Sequence, residues 1–138
     1  MNRISGPLLD RIDIHIEVTP VPFRELTVER TSEPSESIRS RVIKARSVQH
    51  TRYVEEKGVH CNAQMTSKLI REHCELSSDG KELLKQAMER LGLSARAYDR
   101  ILKVARTAAD LAGSPDIRIE DLAEAIHYRS LDRDGWAG

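Results

Sequence analysis

One stretch limits the possible folds of this chain more than any other: LSARAYDRILKVARTAADLAG, residues 93–113. Ser94 stands where a helix N-cap is needed, because its hydroxyl can accept an otherwise unmatched backbone N–H. Ala97, Ile101, Val104, Ala108 and Leu111 then recur at intervals of three and four, which puts them on one face of a helix. Gly113, with Pro115 after it, supplies a stop. A helix with one apolar stripe must bury it, and the rest of the sequence offers further helices rather than a sheet. Only 4% of residues are aromatic within a hydrophobic fraction of 39%, so the core must be built from Leu, Ile, Val and Ala. At 138 residues one domain with a modest core is expected.

Four more helices read from the same rules. Ser35 follows Pro34 and can cap a long helix over 35–56 whose apolar positions are Ile38, Val42, Ala45 and Val48, with Gly58 ending it. Thr66 can cap a short helix carrying Leu69, Ile70 and Leu76; Ser78 can cap one carrying Leu83, Leu84, Ala87 and Leu91, ended by Gly92. A last helix after Ile119 groups Leu122, Ala125 and Ile126. Ahead of these, Ile12, Ile14, Ile16 and Val18 alternate with Asp13, His15 and Glu17, the period-two pattern of a strand with one buried face. Between strand and helices, residues 19–34 carry three prolines and several Ser, Thr and Glu residues and read as a linker. The expected fold class is all-α: a small bundle of about five helices over 35–130, preceded by a short strand within 1–18 and followed by a polar, frayed tail over 131–138.

Composition excludes several functions. With 22 basic and 22 acidic residues the net charge is zero, unlike the usual nucleic-acid footprint. Two cysteines, Cys61 and Cys74, are too few for a disulfide scaffold. No apolar run approaches the roughly 20 residues of a membrane span, and no secretory leader is seen, so a cytoplasmic location is expected. There is no phosphate-cradling G-x-x-x-x-G-K-[ST] loop, no H-E-x-x-H, no C-x-x-C and no nucleophile elbow. The pairs His60–Cys61 and His73–Cys74 have ligand chemistry for zinc, but adjacent side chains diverge, and no metal site is expected.

Three arginines carry chemistry worth weighing. Arg96 and Arg100 lie four apart and share a face of the 94–111 helix. Arg96 sits in the first turn, where a cation opposes the helix dipole but stands beside free N–H groups that attract phosphate; an ordinary surface arginine paired with Asp99 is the other reading. Arg11, between Asp10 and Asp13, reads either as a local salt bridge or as a functional cation. Residues 83–105, helix, Gly turn, helix, are also compatible with a DNA-reading helix-turn-helix presenting Arg96, Arg100, Lys103 and Arg106.

The order of RISGPLLDRIDIHIEV, then LGLSARAYDRILKVARTAADLAG, then IRIEDLAEAIHYRSLD resembles the C-terminal end of magnesium-chelatase-like AAA+ ATPases of the ComM (YifB) type. The resemblance implies that residues 1–18 are the last part of a nucleotide-binding domain and 35–130 its helical lid. It implies that Arg11 is an arginine finger reaching the nucleotide of a neighbouring subunit, with Arg3 a rival, and that Arg96, with Arg100 second, is the sensor-2 arginine facing the γ-phosphate of ATP. The implied cofactors are ATP and Mg2+ in the intact parent, with none expected on this fragment, which should not hydrolyse ATP alone. The implied partners are neighbouring subunits of a homo-oligomeric ring, a hexamer, with DNA as the motor's setting and no membrane.

Overall fold

A computed structural model describes residues 5–29 and 32–129, and among them the chain is all-α. The elements run α1 (Gly6–Leu9), α2 (Phe23–Leu26), α3 (Ser35–Arg52), a single 3-10 turn (Asn62–Gln64), α4 (Ser67–His73), α5 (Ser78–Leu91), α6 (Ala95–Leu111) and α7 (Ile119–His127). α6 is the hub: α7, α3, α4 and the 3-10 turn all pack on it, and α5 packs on α7. The core gathers Leu69, Ile70, Leu84, Ile101, Leu102, Ala105, Ala109, Leu122 and Ala125 with Tyr53, Met65 and Ile117. Each large aliphatic side chain removed from water there contributes about 1.5–3 kcal/mol.

Local chemistry sets the helix ends. The Ser94 hydroxyl accepts from the Ala97 N–H at 3.3 Å and that of Thr66 from Leu69 at 3.4 Å, as the caps require. α5 is capped one residue earlier than expected, by Ser77, whose hydroxyl accepts from Gly80 at 3.1 Å; Ser78 is already helical. Ser35 likewise begins α3 without capping it, Pro34 holding the N-cap position. Gly92 (φ +59°) and Gly113 (φ +70°) turn left-handed just past α5 and α6. The N–H groups of Leu93 and Ser114 then reach back to the Met88 and Ala109 carbonyls, closing both helices as glycine in that region allows.

Three expectations change. The buried stripe of α6 keeps Ala97 and Ile101 but continues through Leu102, Ala105, Arg106, Ala109 and Asp110. Val104 and Ala108 are half-buried and Leu111 is exposed; all three line a groove of about 570 Å3 walled also by Asp13, Ile14 and Tyr128, with Val104 also packed against the core. On α3 only Ala45 and Gln49 are buried; Ile38, Val42 and Val48 are exposed, since α6 and the 3-10 turn cover only part of that long helix.

The expected strand does not form: residues 14–22 have no regular secondary structure and Val18 is 87% exposed. A strand needs a neighbour to match its N–H and C=O groups. Here the helices take them instead, the His15 N–H donating to the Tyr128 carbonyl at 3.0 Å and the Ile12 carbonyl accepting from Arg129. The linker carries the short, exposed α2. The tail expected over 131–138 lies outside the described residues.

Candidate functional site

The segment containing Arg11 lies against the N-terminal end of α6 and the C-terminal end of α7. Asp10 accepts from the Ser94 hydroxyl at 3.4 Å, so a carboxylate stands at the positive end of the α6 dipole. Three residues on, Asp13 is ion-paired with Arg100, one turn into α6. The expected local salt bridge within LLDRID is therefore absent: both aspartates flanking Arg11 are engaged by the helical domain. Arg11 is left exposed, its backbone fixed by a bond from its N–H to the Leu8 carbonyl at 3.0 Å, its side chain without an ion pair among the described residues.

Arg96 is the second residue of α6 and is exposed, again with no ion pair among the described residues. Asp99, its expected partner, does not take it. Ser94 satisfies one N–H of the first turn, leaving others for an anion. Arg100 differs, being held by Asp13. The structure thus gathers the three sequence-derived arginines around one junction, with Arg11 and Arg96 available and Arg100 committed. Arg3 lies outside the described residues.

Residues 32–129 match the family described as magnesium chelatase, subunit ChlI C-terminal. The chain belongs to that family. It is 44% identical to competence protein ComM of Haemophilus influenzae over 135 residues, which is 96% of this chain and 25% of that protein. It is 40% identical to YifB of Escherichia coli over 136 residues, 96% of this chain and 26% of that protein. YifB of Salmonella typhimurium is 38% identical over 135 residues, with the same coverage. The chain spans about a quarter of the length of these relatives.

In this ChlI C-terminal domain the most elaborate polar cluster lies where the sequence gave least warning. Asp110, its side chain 1% exposed, accepts from both Arg52 guanidinium nitrogens at 2.6 and 2.8 Å and from the Asn62 amide at 2.8 Å. Arg106 lies 3.2 Å away on the same carboxylate and donates to the Pro115 and Ser114 carbonyls. Asn62 also accepts from the Tyr53 hydroxyl and from Arg52, and its N–H donates to Gln49. Burial alone would raise the Asp110 pKa, but the hydrogen bonds from Arg52 and Asn62 outweigh it and hold the carboxyl below its usual range. This network staples α3, the 3-10 turn and α6. Its members lie as much as 58 residues apart, beyond any local pattern.

The four basic residues of α6 are placed differently from one another. Of these, Arg106 is buried, Lys103 donates to the Ala63 carbonyl at 3.1 Å and Arg100 pairs with Asp13. Arg96 is exposed and has no ion pair among the described residues.

Cys74 is buried against Met65, Sγ to Sδ 4.0 Å, whereas Cys61 is half-buried. Burial pushes the Cys74 thiol up to about 11, so its thiolate is scarce at neutral pH. His73 meets the edge of the Tyr53 ring. A maleimide at neutral pH should label Cys61 in the folded chain and reach Cys74 only after denaturation; intact-mass analysis counts the adducts.

Proposed function

We propose that this chain is the nucleotide-responsive helical lid of a ring-forming AAA+ ATPase of the ComM type. In this reading Arg96 contacts the γ-phosphate of ATP bound by its own subunit, and Arg11 reaches the nucleotide of the next subunit. The observation that carries it is the division among the arginines: Arg11 and Arg96 are exposed with no ion pair among the described residues, while Arg100 and Arg129 beside them are engaged. A guanidinium held in place yet unpaired suits a planar, multiply charged phosphate.

The fit to ATP is to its phosphates: a cation and unmatched N–H groups at the start of α6. ATP supplies the phosphoryl group, and this chain's residues bind and orient it. Among the described residues no three His, Cys, Asp or Glu side chains converge to hold a metal ion, and no step is assigned to Mg2+. No helix among them is long and apolar enough to cross a membrane. The relative named as a competence protein supports a DNA-related setting; within this proposal the motor's task is branch migration and its assembly a homo-hexameric ring.

Arg96→Ala tests the sensor assignment. An exposed side chain outside the core should change domain stability by no more than about 0.5 kcal/mol. In a full-length protein carrying this segment, ATP affinity should fall roughly 10- to 100-fold, the loss of one charge-assisted contact. Unchanged affinity by titration calorimetry would remove Arg96 from the nucleotide site.

A further inference from the structure

Arg129 is the largest fully buried side chain in the described chain. A cation this size is costly to remove from water unless its donors are used. Its guanidinium donates to the Ile12 carbonyl and lies 3.9 Å from the Asp10 carboxylate. A fully buried arginine is therefore joined to an otherwise exposed segment. The residue before it, Tyr128, receives the His15 N–H. From the other side, α6 holds Asp10 through Ser94 and Asp13 through Arg100. Positions 10, 12, 13 and 15 are all anchored; between them Ile14 lines the groove and Arg11 is the charged side chain left exposed.

We propose that Arg129, together with the Asp13–Arg100 pair, positions Arg11: the helical domain clamps the turn that carries it, so a shift of the α6 N-terminus moves Arg11. This inference rests on the reading of Arg11 and Arg96 given above. α6 carries Arg96 at its start and two of the anchors, Ser94 and Arg100, within its first turns. A contact that reorients α6 therefore drags Asp10 and Asp13 as one body.

The test uses Asp13→Asn and Arg129→Lys, read in two ways. In the present chain, amide exchange reports on the clamp directly, since the His15 N–H is protected only while the segment is docked. Its exchange should quicken about tenfold or more in either variant while the amides of α6 stay protected. In the full-length protein, kcat for ATP should fall roughly tenfold with KM changed less than about twofold, because positioning and not ground-state binding is lost. Asp13→Glu, which keeps the pair with Arg100, should restore most of it. Should Arg129→Lys unfold the domain, Asp13→Asn carries the test alone, since Asp13 is half-exposed and outside the core. Unchanged His15 exchange with unchanged kcat overturns the clamp. Exchange that quickens while Arg11→Ala itself leaves kcat intact sustains the clamp and overturns the finger reading. Loss of activity in Arg11→Ala, with none in the clamp variants, does the reverse.

Discussion

Asp110→Ala should destabilise the domain by about 3–5 kcal/mol, the usual result of removing one partner of a buried ion pair. Two cations depend on that carboxylate. Arg52 loses both of its short contacts to that carboxylate, and Arg106, itself 4% exposed, loses its ion pair and keeps its hydrogen bonds to the Pro115 and Ser114 carbonyls. Asn62 loses an acceptor in the same step. For a domain of about 100 residues each kcal/mol moves Tm by roughly 4–8 °C, so the drop should be visible in any thermal scan. The same group sets an acid limit. The folded pKa of Asp110 lies below its unfolded value, so its contribution is complete above the unfolded value of about 3.9 and is lost as pH falls through the folded one. Asp110→Asn should lower stability at pH 7 and flatten the loss below about pH 4. A loss under about 1 kcal/mol in Asp110→Ala would mean that α3 is not held to α6 by this carboxylate.

The second large effect concerns rate. If the proposed ring ATPase is right, Arg11→Ala in the full-length protein should lower kcat for ATP hydrolysis by roughly 10³-fold or more, the range found when an arginine finger is removed from phosphoryl-transfer sites. The guanidinium would meet charge that develops only as the bond to the leaving phosphate breaks, so kcat carries the loss and ATP binding stays nearly intact. Folding should be indifferent, since Arg11 is exposed and is not part of the core cluster. Circular dichroism and a thermal scan of the variant check that the loss is chemical. A fall below about tenfold would be too small for a transition-state contact.

Helices were readable from this sequence because their signals are local. Thr66, Ser94, Gly92 and Gly113 act within a few residues of themselves, and Leu122, Ala125 and Ile126 need only the helical period. The direction in which each face points was less readable. Val104 and Leu111 fit the apolar stripe of α6 as well as Ala105 and Ala109 do, and only the placement of α3, α4 and α7 decides between them. Ile38 and Val42 likewise satisfy the period on α3 and yet are exposed among the described residues. The alternation of Ile12, Ile14 and Ile16 is a true period-two signal, yet a strand depends on its pairing, and the helices bind its backbone instead.

At the candidate site, Arg11, Arg96 and Arg100 could be named from the sequence, but not their fates. Asp13 and Arg100 are 87 residues apart, and Ile12 and Arg129 are 117 apart. Asp10 and Asp13 beside Arg11 suggest a local bridge, and nothing local shows that α6 and Arg129 claim them first. Arg129, near the end of a helix rich in charge, reads as a surface residue until the fold buries it.

The central claim is that Arg11 works on the neighbour's nucleotide and not on its own. Two full-length variants, each inactive alone, decide it: Arg11→Ala, and a variant whose own ATP-binding loop is disabled but whose Arg11 is intact. Mixed under conditions that exchange subunits, they should regain ATPase activity, because an intact Arg11 from one subunit then faces an intact nucleotide site in the next. Mixed rings that assemble and stay silent would contradict the claim and return Arg11 to its own subunit.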